Sequence, residues 1–103
     1  MAEQLTEEDF SRHLHTTFRV RAEGAEALEL ELTEVLSYRG GENEQDGMER
    51  FSLFFQGPGG DMLKQNTYEL EHERLGSLML FLVPIAKNER GFRYEAVFNY
   101  FKQ

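Results

Sequence analysis

The chain has 103 residues, of which 40% are hydrophobic and 29% charged, a composition that predicts one folded domain over residues 1–103. Asp and Glu outnumber Lys and Arg by 19 to 11, and the resulting net charge of −8 disfavours binding to nucleic-acid phosphates or to anionic membranes. The sequence contains no cysteine, which excludes disulfides, thiolate catalysis and cysteine-ligated metal ions.

The first predicted element is a short helix that ends near residue 15. Thr6 is a suitable N-cap, and Phe10 and Leu14, four residues apart, form an apolar face. His13 and His15 are two residues apart and point to different sides of such a helix, which is a poor arrangement for a shared metal ion. The acidic start of the chain lacks the basic region of a signal peptide, so we expect a cytoplasmic protein.

Residues 17–21 and 28–38 are predicted strands, because hydrophobic and polar residues alternate in both. The alternation slips by one position near Thr33 and Glu34, which predicts a β-bulge at that point. Residues 39–50 are glycine-rich and acidic, and we interpret them as a solvated hairpin loop. The alternative is a metal-binding or recognition loop.

The segment FSLFFQ, residues 51–56, predicts a strand whose odd-numbered side chains face the core. Phe54 then points to the opposite face. We expect it to lie there beside Phe81 or Phe101, covered by the helix or by a protein partner. These three phenylalanines are therefore the candidate interaction surface.

Three more strands are predicted in the second half of the chain, at residues 66–72, 78–86 and 92–101. The segment 78–86, LMLFLVPIA, is apolar on both faces, which predicts a central strand that is covered on both sides. Pro84 cannot donate a hydrogen bond to a ladder and is expected at a strand end, a bulge or an edge. Gly76 is a candidate for a positive φ angle.

Together these elements predict a mainly β fold. About six antiparallel strands, joined by sequential hairpins, would form a meander that is either strongly curved or closed into a small barrel. One short N-terminal helix would lie at an opening of this sheet.

His72 is the candidate for polar chemistry, because Glu71 and Glu73 flank it. It could act as a general base that a carboxylate orients. The competing interpretation is structural, with the ring nitrogens fixing a turn. The sequence shows no nucleophile elbow, phosphate-binding loop or zinc-ligand spacing, so we predict no catalytic residue, no metal site and no cofactor, and a protein that is not an enzyme.

Several segments carry a resemblance to a known family: LTEEDF at residues 5–10, FSLFFQGP at 51–58, and YELEHERLG, LFLVPI and RYEAVFN between residues 68 and 99. In this combination they resemble a family of small bacterial proteins of unknown function, over nearly the whole chain. The resemblance implies an accessory or assembly role beside phage-tail-like or tail-collar proteins. It supplies no catalytic residue.

Two functions from different classes are open at this point. The first is a non-enzymatic module that binds another protein or itself, including as a homodimer, because three strands carry apolar residues on both faces. The second is a small-ligand-binding or enzymatic barrel with His72 near its mouth. A third, an acidic mimic of nucleic acid, would require carboxylates at phosphate-like spacing.

Overall fold

The computed structural model describes residues 7–21, 28–37, 48–60 and 62–101. One short helix, α1, spans Glu7–Ser11. Six strands follow: β1 Thr17–Arg21, β2 Leu28–Ser37, β3 Met48–Gln56, β4 Asn66–His72, β5 Gly76–Asn88 and β6 Gly91–Phe101. The prediction of a mainly β protein with six antiparallel strands and one short N-terminal helix is confirmed.

The strands close into a ring. Their order is β1-β2-β3-β6-β5-β4, and β1 pairs with β4 to complete a closed barrel in which each pairing is antiparallel. The barrel therefore consists of two three-stranded meanders, β1-β2-β3 and β4-β5-β6, rather than one continuous meander. The two meanders are joined by the link of residues 57–65, after which β4 pairs with β1 and β5 while β6 pairs with β3.

The interior is filled by the alternate residues of the strands. In β3 the odd-numbered side chains Phe51, Leu53 and Phe55 are fully buried, as predicted. The other strands contribute the remaining buried apolar side chains of the barrel: Phe18, Val20, Leu30, Leu32, Leu70, Leu80, Leu82, Tyr94 and Ala96. Each is at most 4% exposed, so the described interior is a packed core.

Two bulges bend the strands, one at the predicted position in β2 and one at Pro84, for which a bulge is one of three expected sites. The register of β2 against β3 shifts between Leu32 and Glu34, and that of β5 against β6 shifts between Pro84 and Ala86. A bulge adds local twist and bending, which helps a sheet to close on itself. Pro84 lies at such a site because it has no N–H to donate.

Helix α1 closes one end of the barrel through Phe10. This ring is fully buried, and its centroid lies 6.5 Å from Phe18, 6.0 Å from Phe51 and 5.2 Å from Phe98. Leu14 is 36% exposed, so the predicted two-residue apolar face is reduced to Phe10. The helix is shorter than predicted because the chain turns toward β1 at His15, whose φ is 65°. The predicted cap Thr6 lies outside the described residues.

The link between β3 and β4 packs at the opposite end of the barrel. The Gly57 N–H donates to the Phe92 carbonyl over 2.8 Å, and the Leu63 N–H donates to the Tyr94 hydroxyl over 2.9 Å. Tyr94 is 1% exposed, so this hydrogen bond is formed away from water. Gly91, the first residue of β6, lies directly beneath the link.

Two predictions about the middle of the chain are corrected. Strand β5 is not covered on both sides: Leu80 and Leu82 face the core, but Phe81 between them is 48% exposed. The described elements supply no second layer over this outer face, because the single helix lies at one end of the barrel with Phe10 in the core. The predicted loop 39–50 is also too long, since its last three residues begin β3. The rest of the predicted loop lies outside the described residues.

Candidate functional site

Large apolar side chains are exposed on the outer face of the barrel. We call the following residues the outer strip: Leu36 of β2, Met79, Phe81 and Ile85 of β5, and Val97 of β6. Met79 is 64% exposed and Val97 is 63% exposed. Aromatic and methionine side chains are enriched at protein interfaces, and a group of exposed apolar side chains marks a candidate interaction site.

The outer strip crosses the sheet through neighbouring strands. Leu36 and Val97 are the register partners of Ser52, one on each side of it. Ser52 has no exposed surface although it points outward, and its hydroxyl donates to Glu95 over 2.7 Å. Sequence reasoning missed Ser52, because a serine between Phe51 and Leu53 looks like an ordinary solvent-facing position of an alternating strand. Its burial shows that the flanking side chains pack over the sheet there.

The ladder between β5 and β6 ends inside the outer strip. The ladder runs from the pair Asn88 and Gly91 at the β5–β6 turn to the pair Val83 and Glu95, which is its last described pair. Phe81 and Val97 lie two residues further along their strands, on the same outward faces. Beyond that pair, within the described residues, β5 pairs with β4 and β6 pairs with β3, so the facing edges of the two strands share no ladder. Unpaired strand edges are sites at which another chain can form main-chain hydrogen bonds.

Phe54 is covered by a charged side chain of its own barrel. Its register partners are Glu34 and Glu95, and the guanidinium carbon of Arg93 lies 5.5 Å from the ring centroid. Arg93 also approaches Glu34 at 3.9 Å. The expectation that the helix covers Phe54 is corrected, because α1 lies at one end of the barrel and inserts Phe10 into the core. Phe54 is half-buried and stands apart from the exposed Phe81, and the side chain of Phe101 lies outside the described set.

The structure brings His72 and its flanking carboxylates to one cleft. A cleft of about 400 Å³ is lined by polar and charged residues: Thr17, Arg19, Glu29, Glu71, His72 and Glu73. Glu71 is already paired with Arg21 of β1 at 2.6 Å. The lining supplies charge but not the aromatic walls that usually hold a small organic ligand.

Both ring nitrogens of His72 are engaged. Nδ1 accepts the Arg74 N–H over 3.0 Å and the Leu75 N–H over 3.1 Å, which fixes the turn between β4 and β5. Nε2 lies 2.9 Å from the Thr16 hydroxyl. Burial of the ring lowers the pKa of His72 below its usual value, and the nearby His13 adds to this effect. A neutral imidazole with no nitrogen to spare is poorly suited to proton transfer.

A second polar cluster surrounds Glu31. His15 contacts one carboxylate oxygen at 3.0 Å, and Arg90 of the β5–β6 turn donates to the other at 3.0 Å. The hydrogen bonds from His15 and Arg90 hold the pKa of Glu31 below its usual value. The cluster borders an open cleft of about 460 Å³. The sequence gives no signal for it, because the three residues are far apart in the chain.

Neither a metal site nor a membrane-spanning helix is found in the described part of the chain. No three His, Asp or Glu side chains of residues 7–21, 28–37, 48–60 and 62–101 are grouped to hold a metal ion. No helix among those residues is long and apolar enough to cross a bilayer.

Comparison with known protein families identifies a match over most of the chain. The model of a domain of unknown function, DUF6916, matches residues 5–98. No curated protein and no solved structure matches the chain.

Proposed function

Because the chain belongs to the DUF6916 family of domains of unknown function, we propose a function from its surface: a cytoplasmic, non-enzymatic protein-interaction module that uses the outer strip to bind a structural protein. The observation that carries the proposal is the exposure of Phe81, Met79 and Val97 on one face, at 48%, 64% and 63%. They lie where the β5–β6 ladder ends, so a partner can bury apolar side chains and meet unpaired backbone at the same place.

The charge around the outer strip favours a different protein over a second copy. Glu69 is the register partner of Met79, and Glu95 is the register partner of Val83. The whole chain carries a net charge of −8, so two copies repel each other at long range. A partner with an apolar contact face bordered by Lys or Arg would complement this surface.

The resemblance of the sequence to proteins that accompany phage-tail-like or tail-collar components indicates which partners to test first. An accessory protein of such an assembly must bind its neighbours without altering them chemically. A filled barrel with an apolar outer face suits that task, because the core holds the shape and the strip supplies the contact.

The alternative function, a ligand-binding or enzymatic barrel, receives less support. It requires a cavity into which His72 and a carboxylate project reactive atoms. His72 instead uses Nδ1 for two backbone N–H groups and Nε2 for Thr16, and Glu71 is paired with Arg21. The cleft that these residues line is open and charged.

The proposal is tested by measuring binding to purified phage-tail-like and tail-collar proteins. The substitution Phe81→Asp should weaken the complex by about thirtyfold or more, because it puts a charge into the centre of the buried contact. Leu14→Asp is the matched control, since Leu14 is an exposed apolar residue near the helix, outside the strip. Circular dichroism checks that both variants fold.

Two outcomes would contradict the proposal. One is a complex that Phe81→Asp and Leu14→Asp affect equally, because the contact would then lie elsewhere. The other is a stable homodimer, detected by light scattering over a dilution series, that Phe81→Asp dissociates; the strip would then be a self-association surface. We expect the wild-type protein to be monomeric throughout the series.

A further inference from the structure

His72 occupies a position that connects two parts of the chain at the same end of the barrel. One part is the segment 13–16, which leads from α1 into β1, and the other is the turn 73–75 between β4 and β5. The ring centroids of His13 and His72 are 4.8 Å apart. The His72 ring also packs against Phe18 of β1, with the two ring centroids 4.4 Å apart. His72 is 7% exposed.

The hydrogen bonds around His72 determine its protonation state. Nδ1 faces two backbone N–H donors, so it must carry the lone pair. The Thr16 hydroxyl donates its hydrogen to the His13 carbonyl and can therefore only accept from the imidazole. The Nε2–H of His72 is thus the donor to Thr16, and the ring is the neutral tautomer with its proton on Nε2.

We propose that His72 is a pH-sensitive clip that holds the α1–β1 segment to the β4–β5 turn while neutral and releases both when it gains a proton. A second proton has only Nδ1 to bind to, where it would point at the N–H groups of Arg74 and Leu75. The turn then loses its acceptor, and the ring must leave its place. The Thr16 contact, which depends on the same ring position, breaks with it.

The charged groups around the His72 ring favour or disfavour its protonated form. His13, on the segment after α1, disfavours a charged His72, and Arg74 of the turn does the same. Glu73 favours the charged form. The remaining charged residues of the adjoining cleft are Arg19 of β1, Glu29 of β2 and Glu71 of β4. Burial is the largest effect and disfavours the charge.

The direction of the pH response follows from linkage. The pKa of His72 is lower in the folded protein than the value of about 6.5 in an unfolded chain, so the closed form binds fewer protons than the open form. The clip is at full strength above about pH 6.5 and weakens as the pH falls toward the folded-state pKa. When His72 is protonated, the end of the barrel that Phe10 of α1 closes should open first, because α1 directly precedes the segment 13–16 that the clip holds.

The test is amide hydrogen exchange by NMR between about pH 7.5 and 5, with the imidazole titration recorded on the same sample. After correction for the intrinsic exchange rate, the opening constant of the Arg74, Leu75 and Thr16 amides should rise by up to about tenfold per pH unit below about 6.5. The amides of β3 around Leu53 serve as the internal control and should keep their protection. The His72 titration must lie below that of a free imidazole.

A variant separates the clip from general acid sensitivity. In His72→Asn the amide oxygen can still accept the N–H groups of residues 74 and 75, as in an Asx turn, but it does not titrate. Their protection should then be independent of pH across the same range. His15→Asn is the matched control: it removes another histidine of the same region, at a position where asparagine tolerates the φ of 65°, and should leave the pH response unchanged.

Three results would overturn the clip. The first is a pH response that persists in His72→Asn. The second is a wild-type His72 that titrates at or above the free value. The third is a loss of protection that is equal in the turn and in β3, which would mean global unfolding. Because the wild-type titration and exchange suffice for the last two, the inference stays testable even where His72→Asn does not fold.

Discussion

Gly91 is the residue at which the fold leaves no room for a side chain. Its φ is 142°, and a Cβ there would lie 2.3 Å from the carbonyl carbon of Pro58 and 2.4 Å from the carbonyl oxygen of Gly57. Both are backbone atoms of the link that crosses the barrel, so neither can rotate away. Gly59, in the same link, has no atom within 4 Å of the corresponding position.

These two glycines make a matched pair of variants. Gly91→Ala should lower the free energy of unfolding by more than about 2 kcal/mol, because it combines an unfavourable φ with a backbone clash. Gly59→Ala should change it by less than about 0.5 kcal/mol. Urea denaturation measures both. A similar small effect for the two would mean that the link moves freely over β6.

Local rules predict some single residues well and others not at all. Gly76 has a φ of 79°, as expected of a glycine at a turn, and Pro84 lies at a bulge because of its missing N–H. The constraint on Gly91 comes from Pro58, which is distant in sequence. The tautomer of His72 likewise depends on Thr16, so the sequence could only leave the two roles of this histidine open.

At the scale of elements, α1 depends on tertiary packing. A helix of five residues is too short to be stable alone, and its buried contribution is Phe10. The ring of Phe10 lies against β1, β3 and β6 through Phe18, Phe51 and Phe98. The helix should therefore remain in place only as long as this contact exists.

Replacing Phe10 with alanine tests that dependence. Phe10→Ala should cost about 3–5 kcal/mol of stability, since it empties a fully buried aromatic site. Leu14→Ala should cost less than about 1 kcal/mol, because Leu14 is 36% exposed. Chemical denaturation gives both values. Equal costs would show that the helix is held by its exposed side chains and by the turn after it.

The strands could be read from the sequence, but their neighbours could not. Strand β4 has the predicted bounds, and the bulge at Leu32–Glu34 is confirmed, because alternation reports directly which face is buried. Alternation carries no information on which strand lies beside which. The pairing of β3 with β6 depends on contacts between segments distant in sequence. The same holds for the end of α1 at Ser11, well before the predicted residue 15, since the chain after it is held by the hydrogen bond from the His15 N–H to the Leu32 carbonyl.

At the scale of the whole molecule, we expect closure of the ring to limit the folding rate. Pairing β1 with β4 aligns Arg19 with Glu71, and pairing β3 with β6 aligns Met48 with Phe101. Contacts between residues this far apart in sequence cost loop-closure entropy before they stabilise anything. The barrel can form only after both pairings are made.

We therefore expect refolding in milliseconds to seconds, as for other β proteins rich in non-local contacts. Stopped-flow circular dichroism after dilution from urea measures the rate. Microsecond refolding would contradict the expectation and would indicate that the two three-stranded meanders already exist in the unfolded ensemble.

The outer face of the molecule was the least predictable feature. The segment LMLFLVPIA reads as a doubly buried strand, because most strands with such a sequence have layers on both sides. Here Phe81 and Met79 stay in water, since the described elements form one closed layer around a single core. The disagreement between pattern and burial is what locates the proposed contact surface.

The absorbance of Tyr94 can report the local opening of one end of the barrel. The phenol is 1% exposed, and burial raises its pKa against the opposing effect of the Leu63 hydrogen bond. Phenolate and phenol absorb ultraviolet light differently, and this phenol can lose its proton only when the end of the barrel beneath the β3–β4 link opens. In a rapid jump to alkaline pH, the delayed part of the tyrosine absorbance change would therefore time that opening, without any attached label.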